Sequence, residues 1–295
     1  MLRCSGALFA ALAMAVVTPA ADTRDASARV AELVGKSGAD VAVAFRTLDG
    51  HDELLIQPDV EFHAASTMKV PVMIELFRQA RAGGLSLDDR IAVVNEFHSI
   101  VDGSPFALDV SDDSDADVYG RIGRQMTLRE LCEAMITVSS NFAANLLIER
   151  VGAANVRTTV DRLGASGMVV LRGVEDQKAF DKGLNNTTTA AALAVLMEKL
   201  AKGEAVSRKA DAEMVAILKR QKFHDAIPSG VPDGVEVAHK TGNITKIHHD
   251  AAIVYGPRPY VLVVLVRGIQ EQTVSGPLMA SISREIWDEI EPKSR

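Results

Sequence analysis

The sequence predicts a mixed α/β (α+β) fold, in which a five-stranded antiparallel sheet flanked by terminal helices receives an inserted all-α domain. Segments with strand-like composition occur near both ends of the chain, whereas apolar residues recur with helical spacing between about residues 64 and 205. With 295 residues, 47% of them hydrophobic, the chain can form one large domain or two interleaved ones. We therefore assign residues 22–60 and 206–295 to a discontinuous α/β domain and residues 61–205 to the all-α domain, and we expect the functional site in the cleft between them.

The first 21 residues have the composition of a cleaved secretory signal. Arg3 supplies a basic start, and small residues surround Ala20 and Ala21. The apolar run from Ala7 to Val17 has 11 residues, whereas a helix needs about 20 to cross a bilayer. We therefore expect cleavage near Ala20/Ala21 and a periplasmic or secreted protein without a stable membrane anchor.

The first elements of the mature chain belong to the α/β domain. The segment 25–38 has the apolar spacing of an amphipathic helix that ends at a glycine. Two segments rich in β-formers follow at 40–47 and 51–57. The Asp49-Gly50 dipeptide between them predicts a hairpin turn.

The remaining elements of this domain lie near the other end of the chain. The segments 235–242, 250–256 and 260–268 predict three more strands, which brings the sheet to five. Pro277 then opens a terminal helix that we expect to pack on the sheet. Its apolar residues recur every four positions, at Leu278, Ile282, Ile286 and Ile290.

The middle of the chain contains two helices separated by a short polar turn. Thr127 and Glu130 have the spacing of a capping box at the start of the first helix. Cys132 occupies an apolar position in that helix, so we expect a buried small hydrophobe. The helical pattern breaks at residues 139–141 and resumes directly after them.

Composition and charge exclude several classes of function. Lys and Arg total 32 against 39 Asp and Glu, a net charge of −7, and aromatic residues make up only 4% of the chain. Because the chain has neither a basic field nor a stacking platform for bases, we predict no nucleic-acid partner. The acidic stretch 109–117 lacks the glycine and glutamate spacing of a calcium loop, so we interpret it as a solvated loop. His248 and His249 are adjacent and face opposite ways in a strand, so we predict no metal site.

Ser66 and Lys69 have a spacing that indicates catalysis. They open an apolar helical run, so we expect Ser66 in the first turn of a helix and Lys69 one turn later on the same face. A serine hydroxyl becomes a good nucleophile when a neighbouring base takes its proton, and a desolvated lysine can be that base. The spacing alone is weak evidence, because ordinary composition produces about one S-x-x-K match in a chain of this length.

Two further motifs strengthen this hypothesis. Ser139 and Asn141 lie in the polar turn, where a hydroxyl can relay a proton to a leaving nitrogen and an amide can hold a substrate carbonyl. Lys240, Thr241 and Gly242 lie at the end of a predicted strand. The first two can bind a substrate carboxylate, and the glycine lets the backbone approach the ligand closely.

With these residues the sequence resembles the active-site serine β-lactamases and penicillin-binding proteins, most closely the class A β-lactamases, whose signature is S-x-x-K, S-D-N and K-T-G. Ser139 follows Ser66 by 73 residues, and Lys240 follows Ser139 by 101, in agreement with the family. The resemblance implies that Ser66 attacks the β-lactam carbonyl and that the N–H groups of Ser66 and Asn243 stabilise the oxyanion. It also implies that Ser139, Lys69 and Lys240 pass the proton to the ring nitrogen, without a metal or any other cofactor.

The family hydrolyses the resulting ester with a loop glutamate, and the resemblance makes Glu175 the candidate general base. The usual pattern, Arg-x-Glu-x-x-Leu-Asn, is altered here. Glu175 lies one residue further from Arg172, and Lys178 stands where the asparagine is expected. Asn185 or Asn186 could compensate for that asparagine. Asn186 also replaces an aspartate that would pair with Arg172, so this ion pair becomes at most a hydrogen bond.

Three other positions complete the comparison with the family pattern. Ser140 replaces the acidic residue of S-D-N, a change that we expect to be tolerated. His249 follows Lys240 by nine residues and stands where many family members carry a carboxylate-binding arginine, so it is either a substrate contact or part of the sheet surface. Asn145, one turn after Asn141, is expected to hold the loop through side-chain hydrogen bonds.

Three functions remain open at this point. The first is a secreted serine β-lactamase that forms and hydrolyses an acyl-enzyme on Ser66. The second is an enzyme of the penicillin-binding, DD-peptidase or esterase kind that releases β-lactams slowly. The third is a module that binds β-lactams or cell-wall fragments without turnover. The expected partner is a small-molecule β-lactam or a cell-wall peptide, and we expect a monomer.

Overall fold

The computed structural model describes residues 24–290, so the predicted signal segment 1–21 lies outside the described residues. The α-helices are α1 (Arg24–Ser37), α2 (Lys69–Arg81), α3 (Leu128–Thr137), α4 (Asn141–Val151), α5 (Ala153–Arg162), α6 (Gln177–Asp181), α7 (Ala190–Lys202), α8 (Arg208–Leu218) and α9 (Gln272–Ile290). The strands are β1 (Asp40–Thr47), β2 (Glu53–Ile56), β3 (Phe62–His63), β4 (Arg90–Ala92), β5 (Phe97–His98), β6 (Pro105–Phe106), β7 (Gln125–Thr127), β8 (Thr187–Thr188), β9 (Glu236–Ile244), β10 (Ile247–Tyr255) and β11 (Tyr260–Arg267).

The five long strands form one antiparallel sheet in the order β2-β1-β11-β10-β9, which confirms the predicted fold class. Strand β11 is central and buried over Tyr260–Val266, which explains its unbroken apolar run. Strand β10 begins at Ile247, three residues before the predicted start. The polar pair His248 and His249 has the composition of a loop, but both side chains are buried within the ladder.

The sheet separates two apolar cores. Val41, Val43 and Phe45 face the core that α1 and α9 cover. Ala42 and Ala44 alternate with them and face the helices of the middle segment. This alternation follows from the two-residue period of a strand. The terminal helices therefore pack on one face of the sheet, as the sequence predicts.

The middle of the chain is mainly helical, with three short strand pairs. These are β3 with β8, β4 with β7, and β5 with β6, and each has only two or three residues per strand. Strands this short give no measurable alternation, which is why the sequence indicates helices alone. The capping box of Thr127 and Glu130 is present at α3, and Cys132 is buried.

The described chain has one core cluster that extends across the predicted domain boundaries. It joins Ala44 of the sheet to Met73 of α2 and to Met214 of α8. Helix α8 packs on α7 and β9 although it lies beyond residue 206. The division into two domains stays a prediction. Within residues 24–290 no helix is both long and apolar enough to span a membrane.

Candidate active site

Ser66 lies in a 3-10 turn that leads directly into α2. The turn spans Ala65–Met68, and Lys69 is the first residue of the α-helix. The sequence predicts an ordinary first α-helical turn here, whereas the structure has the tighter 3-10 turn. In a 3-10 helix the side chains at i and i+3 eclipse, so Ser66 and Lys69 lie on one side. The Thr67 hydroxyl donates to the Ala64 carbonyl over 2.6 Å and holds the turn.

Lys69 connects this turn to the polar turn between α3 and α4. Its side chain is fully buried. Nζ donates to the Ser139 carbonyl at 2.6 Å and to Asn141 Oδ1 at 2.8 Å, and lies 3.3 Å from Ser139 Oγ. Burial lowers the pKa of Lys69 to about 7, although the negative charges of Asp113 and Glu175 oppose this shift. Near neutral pH Lys69 is therefore able to accept and release a proton.

Ser139 lies between two buried lysines. Lys240 Nζ donates to Ser139 Oγ at 2.9 Å and to the Thr241 carbonyl at 2.8 Å. Burial and the neighbouring charge of Lys69 lower the pKa of Lys240. The structure thus brings the hydroxyl of Ser139 within reach of both amines, a geometry that suits proton transfer.

Strand β9 contacts the serine turn through Gly242. A Cβ added there would lie 3.1 Å from the backbone nitrogens of both Ser66 and Thr67, tighter than ordinary van der Waals contact. Glycine therefore allows this close approach without any displacement of the serine turn. Thr241 is buried and Asn243 is exposed at the end of the strand, where it lines the cleft.

Glu175 lines the same cleft as Ser66 and Asn243. Its Oε1 is 3.5 Å from Asn141 Nδ2. The cleft walls remove part of the hydration of this carboxyl, and this desolvation, together with the negative charge of Asp112, raises the pKa of Glu175. A cleft of about 580 Å³ is lined by Ser66, Asn141, Glu175 and Asn243. In the described part of the chain, no group of three or more His, Cys, Asp or Glu side chains could hold a metal ion.

Comparisons with known proteins identify the family of this chain. A family model described as "Beta-lactamase enzyme family" matches residues 25–290. This chain belongs to that family. A curated beta-lactamase from Bacillus licheniformis is 28% identical over 222 residues, which cover 71% of this chain. The match covers 65% of that relative, so the chain spans less than two thirds of its length.

Solved structures of the β-lactamase family and its neighbours have the same fold. A beta-lactamase from Sphaerobacter thermophilus DSM 20745 is 25% identical, with a TM-score of 0.78 over 90% of this chain and 97% of that chain. An ancestral class A beta-lactamase is 26% identical, with a TM-score of 0.77 over 89% and 99%. PBP-A is 27% identical, with a TM-score of 0.76 over 90% and 95%. A mutant of PBP-A was solved as an acyl-enzyme complex with penicillin G.

Asn145 holds the loop that carries Glu175. Its Oδ1 accepts from the Val174 N–H at 2.7 Å, and its Nδ2 donates to the Val174 carbonyl at 3.0 Å. A Cβ at Gly173 would lie 2.5 Å from Asn145 Oδ1, so only glycine fits there. The loop contact that the β-lactamase resemblance implies for Asn145 is therefore present.

Arg172 is bound by both asparagines of the altered loop pattern. Asn186 bonds to its backbone, with Oδ1 accepting from the Arg172 N–H at 3.2 Å and Nδ2 donating to the Arg172 carbonyl at 3.0 Å. The guanidinium donates instead to Asn185 Oδ1 at 3.2 Å. The hydrogen bond that replaces the usual ion pair of the β-lactamase family is thus made by Asn185 rather than Asn186.

Lys178, where the β-lactamase pattern has asparagine, points away from the reacting groups. Its Nζ donates to Asp102 Oδ2 at 2.8 Å and to Ser104 Oγ at 2.7 Å. This attaches the loop to the neighbouring β5–β6 hairpin. Next to Glu175, Asp176 makes a similar connection, because its Oδ1 accepts from the Ser99 hydroxyl at 2.8 Å.

His249 is buried inside the sheet, which corrects the expectation that it could lie on the sheet surface, whereas its contact with substrate stays a prediction. It is fully buried, its Nδ1 accepts from the Val266 N–H at 3.1 Å, and its Nε2 lies 3.0 Å from the His63 carbonyl. Burial lowers the pKa of His249 to about 4, so the ring is neutral at physiological pH. The adjacent His248 faces the other way and lies 2.8 Å from Ser275 Oγ.

Asp113 is the site residue that the sequence does not identify. We interpret the stretch 109–117 from its sequence as a solvated loop, but Asp113 accepts from the backbone N–H groups of Asn141 and Phe142, each at 2.9 Å. Two features of the sequence could have pointed to it. Ser140 replaces the acidic residue of S-D-N, and an acidic loop lies elsewhere in the chain. Nothing in the sequence indicates which of its aspartates contacts α4.

Proposed function

We propose that this protein is a serine β-lactamase that opens the β-lactam amide through an acyl-enzyme on Ser66. The observation that carries the proposal is the buried Lys69 amine, held 2.6 Å from the Ser139 carbonyl and one 3-10 turn from Ser66. Its pKa of about 7 suits a group that takes the proton of a serine hydroxyl at neutral pH.

In the acylation step, Ser66 Oγ forms a bond to the lactam carbonyl carbon and the ring C–N bond breaks. The serine proton moves to Lys69, and the ring nitrogen receives a proton from Ser139, which Lys240 orients through its 2.9 Å hydrogen bond. The backbone N–H groups of Ser66 and Asn243 stabilise the oxyanion. The proton count balances, because the proton lost by Ser66 replaces the one that Ser139 delivers.

In the deacylation step, a water oxygen bonds to the ester carbonyl carbon and the bond to Ser66 Oγ breaks. Glu175 takes a proton from the water, and that proton then passes to Ser66 Oγ, so that serine leaves as a hydroxyl and Glu175 is again ionised. The raised pKa of Glu175 and its position in the cleft that Ser66 also lines support this role. Asn141 Nδ2, 3.5 Å from Glu175, is placed to orient the carboxylate.

A second candidate function is an acyl-enzyme former that releases β-lactams slowly. Lys178 favours this second function. The β-lactamase pattern has an asparagine amide at this position, whereas the Lys178 side chain bonds to Asp102. The similarity to PBP-A is compatible with the same reading. In that case cell-wall peptide is the natural substrate. We further propose that the protein is exported, on the basis of the signal-like segment 1–21.

Time-resolved intact mass of the mature protein mixed with benzylpenicillin tests the proposal. We expect consumption of many equivalents of the drug with no lasting adduct, no adduct in Ser66→Ala, and a persistent adduct in Glu175→Gln. Glu204→Gln, an exposed residue that loses the same charge, is the matched control and should behave like the wild type. A wild-type adduct that persists for hours supports the second function, and the absence of both adduct and consumption contradicts both.

A further inference from the structure

A carboxylate from a distant loop occupies the start of α4. Asp113 follows the short 3-10 turn Val110–Asp112 and lies 28 residues before Asn141 in the chain. Its two oxygens accept from the backbone N–H groups of Asn141 and Phe142, both at 2.9 Å. The side chain is therefore bound to the helix and is not simply solvated.

All four N–H groups of the first turn of α4 have partners, and Asp113 supplies two of them. Ser140 Oγ accepts from the Ala143 N–H at 3.3 Å, and the Ser140 carbonyl accepts from the next N–H, that of Ala144, at 3.3 Å. The hydroxyl of Ser140 bonds one of these groups, which leaves the first two to another acceptor. A carboxylate is favoured there by the positive end of the helix dipole.

The residue after Asp113 binds the other side of the same turn. Ser114 Oγ donates to the Val138 carbonyl at 2.6 Å. Asp113 and Ser114 thus attach the loop to the chain on both sides of Ser139. Ser139 has a backbone φ of 60°, in the left-handed region that a serine rarely adopts, so its conformation depends on such external contacts.

The reacting groups depend on this turn. Lys69 Nζ bonds to the carbonyl of Ser139 and to Asn141 Oδ1, and Lys240 Nζ bonds to Ser139 Oγ. A small displacement of residues 139–141 would therefore change both proton-transfer distances at once. The negative charge of Asp113 also raises the pKa of Lys69, against the lowering caused by burial.

We propose that Asp113 is a positioning residue for acyl transfer, and that it supplies from a separate loop the carboxylate that S-D-N carries at the position of Ser140. The inference rests on the proposed function, because its effect is read through the acylation of Ser66. An aspartate at position 140 would be the N-cap of α4 and could accept from the same first turn. The two positions are thus alternatives for one carboxylate.

The test measures the rate of Ser66 acylation by benzylpenicillin in four variants. We expect Asp113→Asn to slow acylation about 10- to 100-fold. Ser140→Asp alone should also slow it, because two carboxylates then compete for one helix start. The double variant should recover to within a few-fold of wild type, the non-additivity expected of coupled groups. Asp117→Asn, an exposed aspartate of the same loop, removes the same charge and should leave the rate unchanged.

The pH dependence of the acylation rate distinguishes this role from a purely structural one, which would not shift it. The charged groups around Lys69 are Asp113, Glu175 and Lys240. Because Asp113 raises the pKa of Lys69, its removal lowers that pKa, and neutral lysine then persists to lower pH. The acid limb of the acylation rate should shift to lower pH in Asp113→Asn and stay in place in Asp117→Asn.

The outcomes separate this inference from the proposed function. A wild-type protein that is never acylated contradicts the proposed function itself. A wild type that is acylated, with Asp113→Asn at the rate of Asp117→Asn, overturns the role of Asp113 alone. If Ser140→Asp does not restore the acylation rate of the Asp113→Asn variant, the proposal that positions 113 and 140 are alternatives for one carboxylate is overturned. If Asp113→Asn does not fold, as judged by thermal unfolding, Ser114→Ala tests the same attachment, and unchanged acylation in it overturns the inference.

Discussion

Three residues at the cleft adopt the left-handed backbone region although none of them is glycine. Ala65 has a φ of 45°, Ser139 of 60° and Glu175 of 62°. Each such residue costs on the order of 1–3 kcal/mol and persists only where surrounding contacts fix it. They lie beside the proposed nucleophile, at the proposed proton relay and at the candidate general base. Three of the five non-glycine residues with positive φ in the described chain are therefore at the candidate site.

Gly242→Ala is the sharpest test of packing at the residue scale. The new Cβ would lie 3.1 Å from the nitrogens of Ser66 and Thr67, so the serine turn must move by a few tenths of an ångström. Because the proposed oxyanion donor, the N–H of Ser66, lies in that turn, we expect acylation to slow by about 10-fold or more. The rate of β-lactam acylation, measured by stopped flow, checks this.

Gly35→Ala is the matched control. Gly35 lies in α1, is exposed, and has no atom within 4 Å of an added Cβ. Alanine is the better helix former, so the variant should keep full activity and gain about 0.5–1 kcal/mol of stability. Equal acylation rates for the two glycine variants would show that the contact between β9 and the serine turn has no functional weight.

At the scale of elements, the loop from Leu171 to Asn186 determines where Glu175 lies. It is attached to α4 through Asn145, to the β5–β6 hairpin through Asp176 and Lys178, and to its own far end through Arg172. Two of these attachments, those made by Asn145 and Asp176, are buried and involve residues next to Glu175 in sequence. The position of Glu175 therefore depends on the contacts of this loop with both α4 and the β5–β6 hairpin.

Asn145→Ala should lengthen the life of the acyl-enzyme more than it slows its formation. The change removes both hydrogen bonds to Val174 and leaves its backbone groups without their partner, so we also expect a loss of about 1–3 kcal/mol in the free energy of unfolding. Adduct decay by intact mass and urea unfolding measure the two effects.

Asn155→Ala controls for the loss of an amide elsewhere. Asn155 is exposed on α5 and bonds to the Val151 carbonyl, away from the loop. It should leave adduct decay unchanged. Equal decay in Asn145→Ala and wild type would contradict the role of this contact in placing Glu175.

At the scale of the whole molecule, the candidate active-site cleft depends on two apolar cores that share one sheet. Helix α7 packs against β1, β10 and β11 from one side, while α1 and α9 cover the other face. Because both cores use the same strands, loss of either should release the sheet. We therefore expect the mature chain to unfold in one cooperative transition.

Leu196→Ala tests this expectation. Leu196 is fully buried in α7, so its truncation should cost about 2–5 kcal/mol of unfolding free energy. Far-UV circular dichroism and β-lactam hydrolysis should be lost together on heating. Leu55→Ala, on β2 with 45% of the side chain exposed, should cost far less. Separate transitions for structure and activity would argue against a shared core.

The five strands, the terminal helices and the capping box of α3 could be predicted from the sequence. Each is a local pattern, in which the period of apolar residues and the chemistry of a turn or cap act over a few neighbours. The family resemblance arises from short motifs of the same kind, around Ser66, Ser139 and Lys240. The short strand pairs of the middle segment escaped prediction because strands of two or three residues have no measurable period.

The sequence by itself determined the architecture and the chemical groups at the site, and only the tertiary structure decided which distant side chains support them. Asp113 at the start of α4, the burial of His249 and the contact of Lys178 with Asp102 join residues far apart in the chain. They involve loops or a sheet interior, where no local periodicity specifies a partner. Their physical basis is the pairing of polar groups, buried at His249 and exposed at Lys178, with partners that only folding brings into contact.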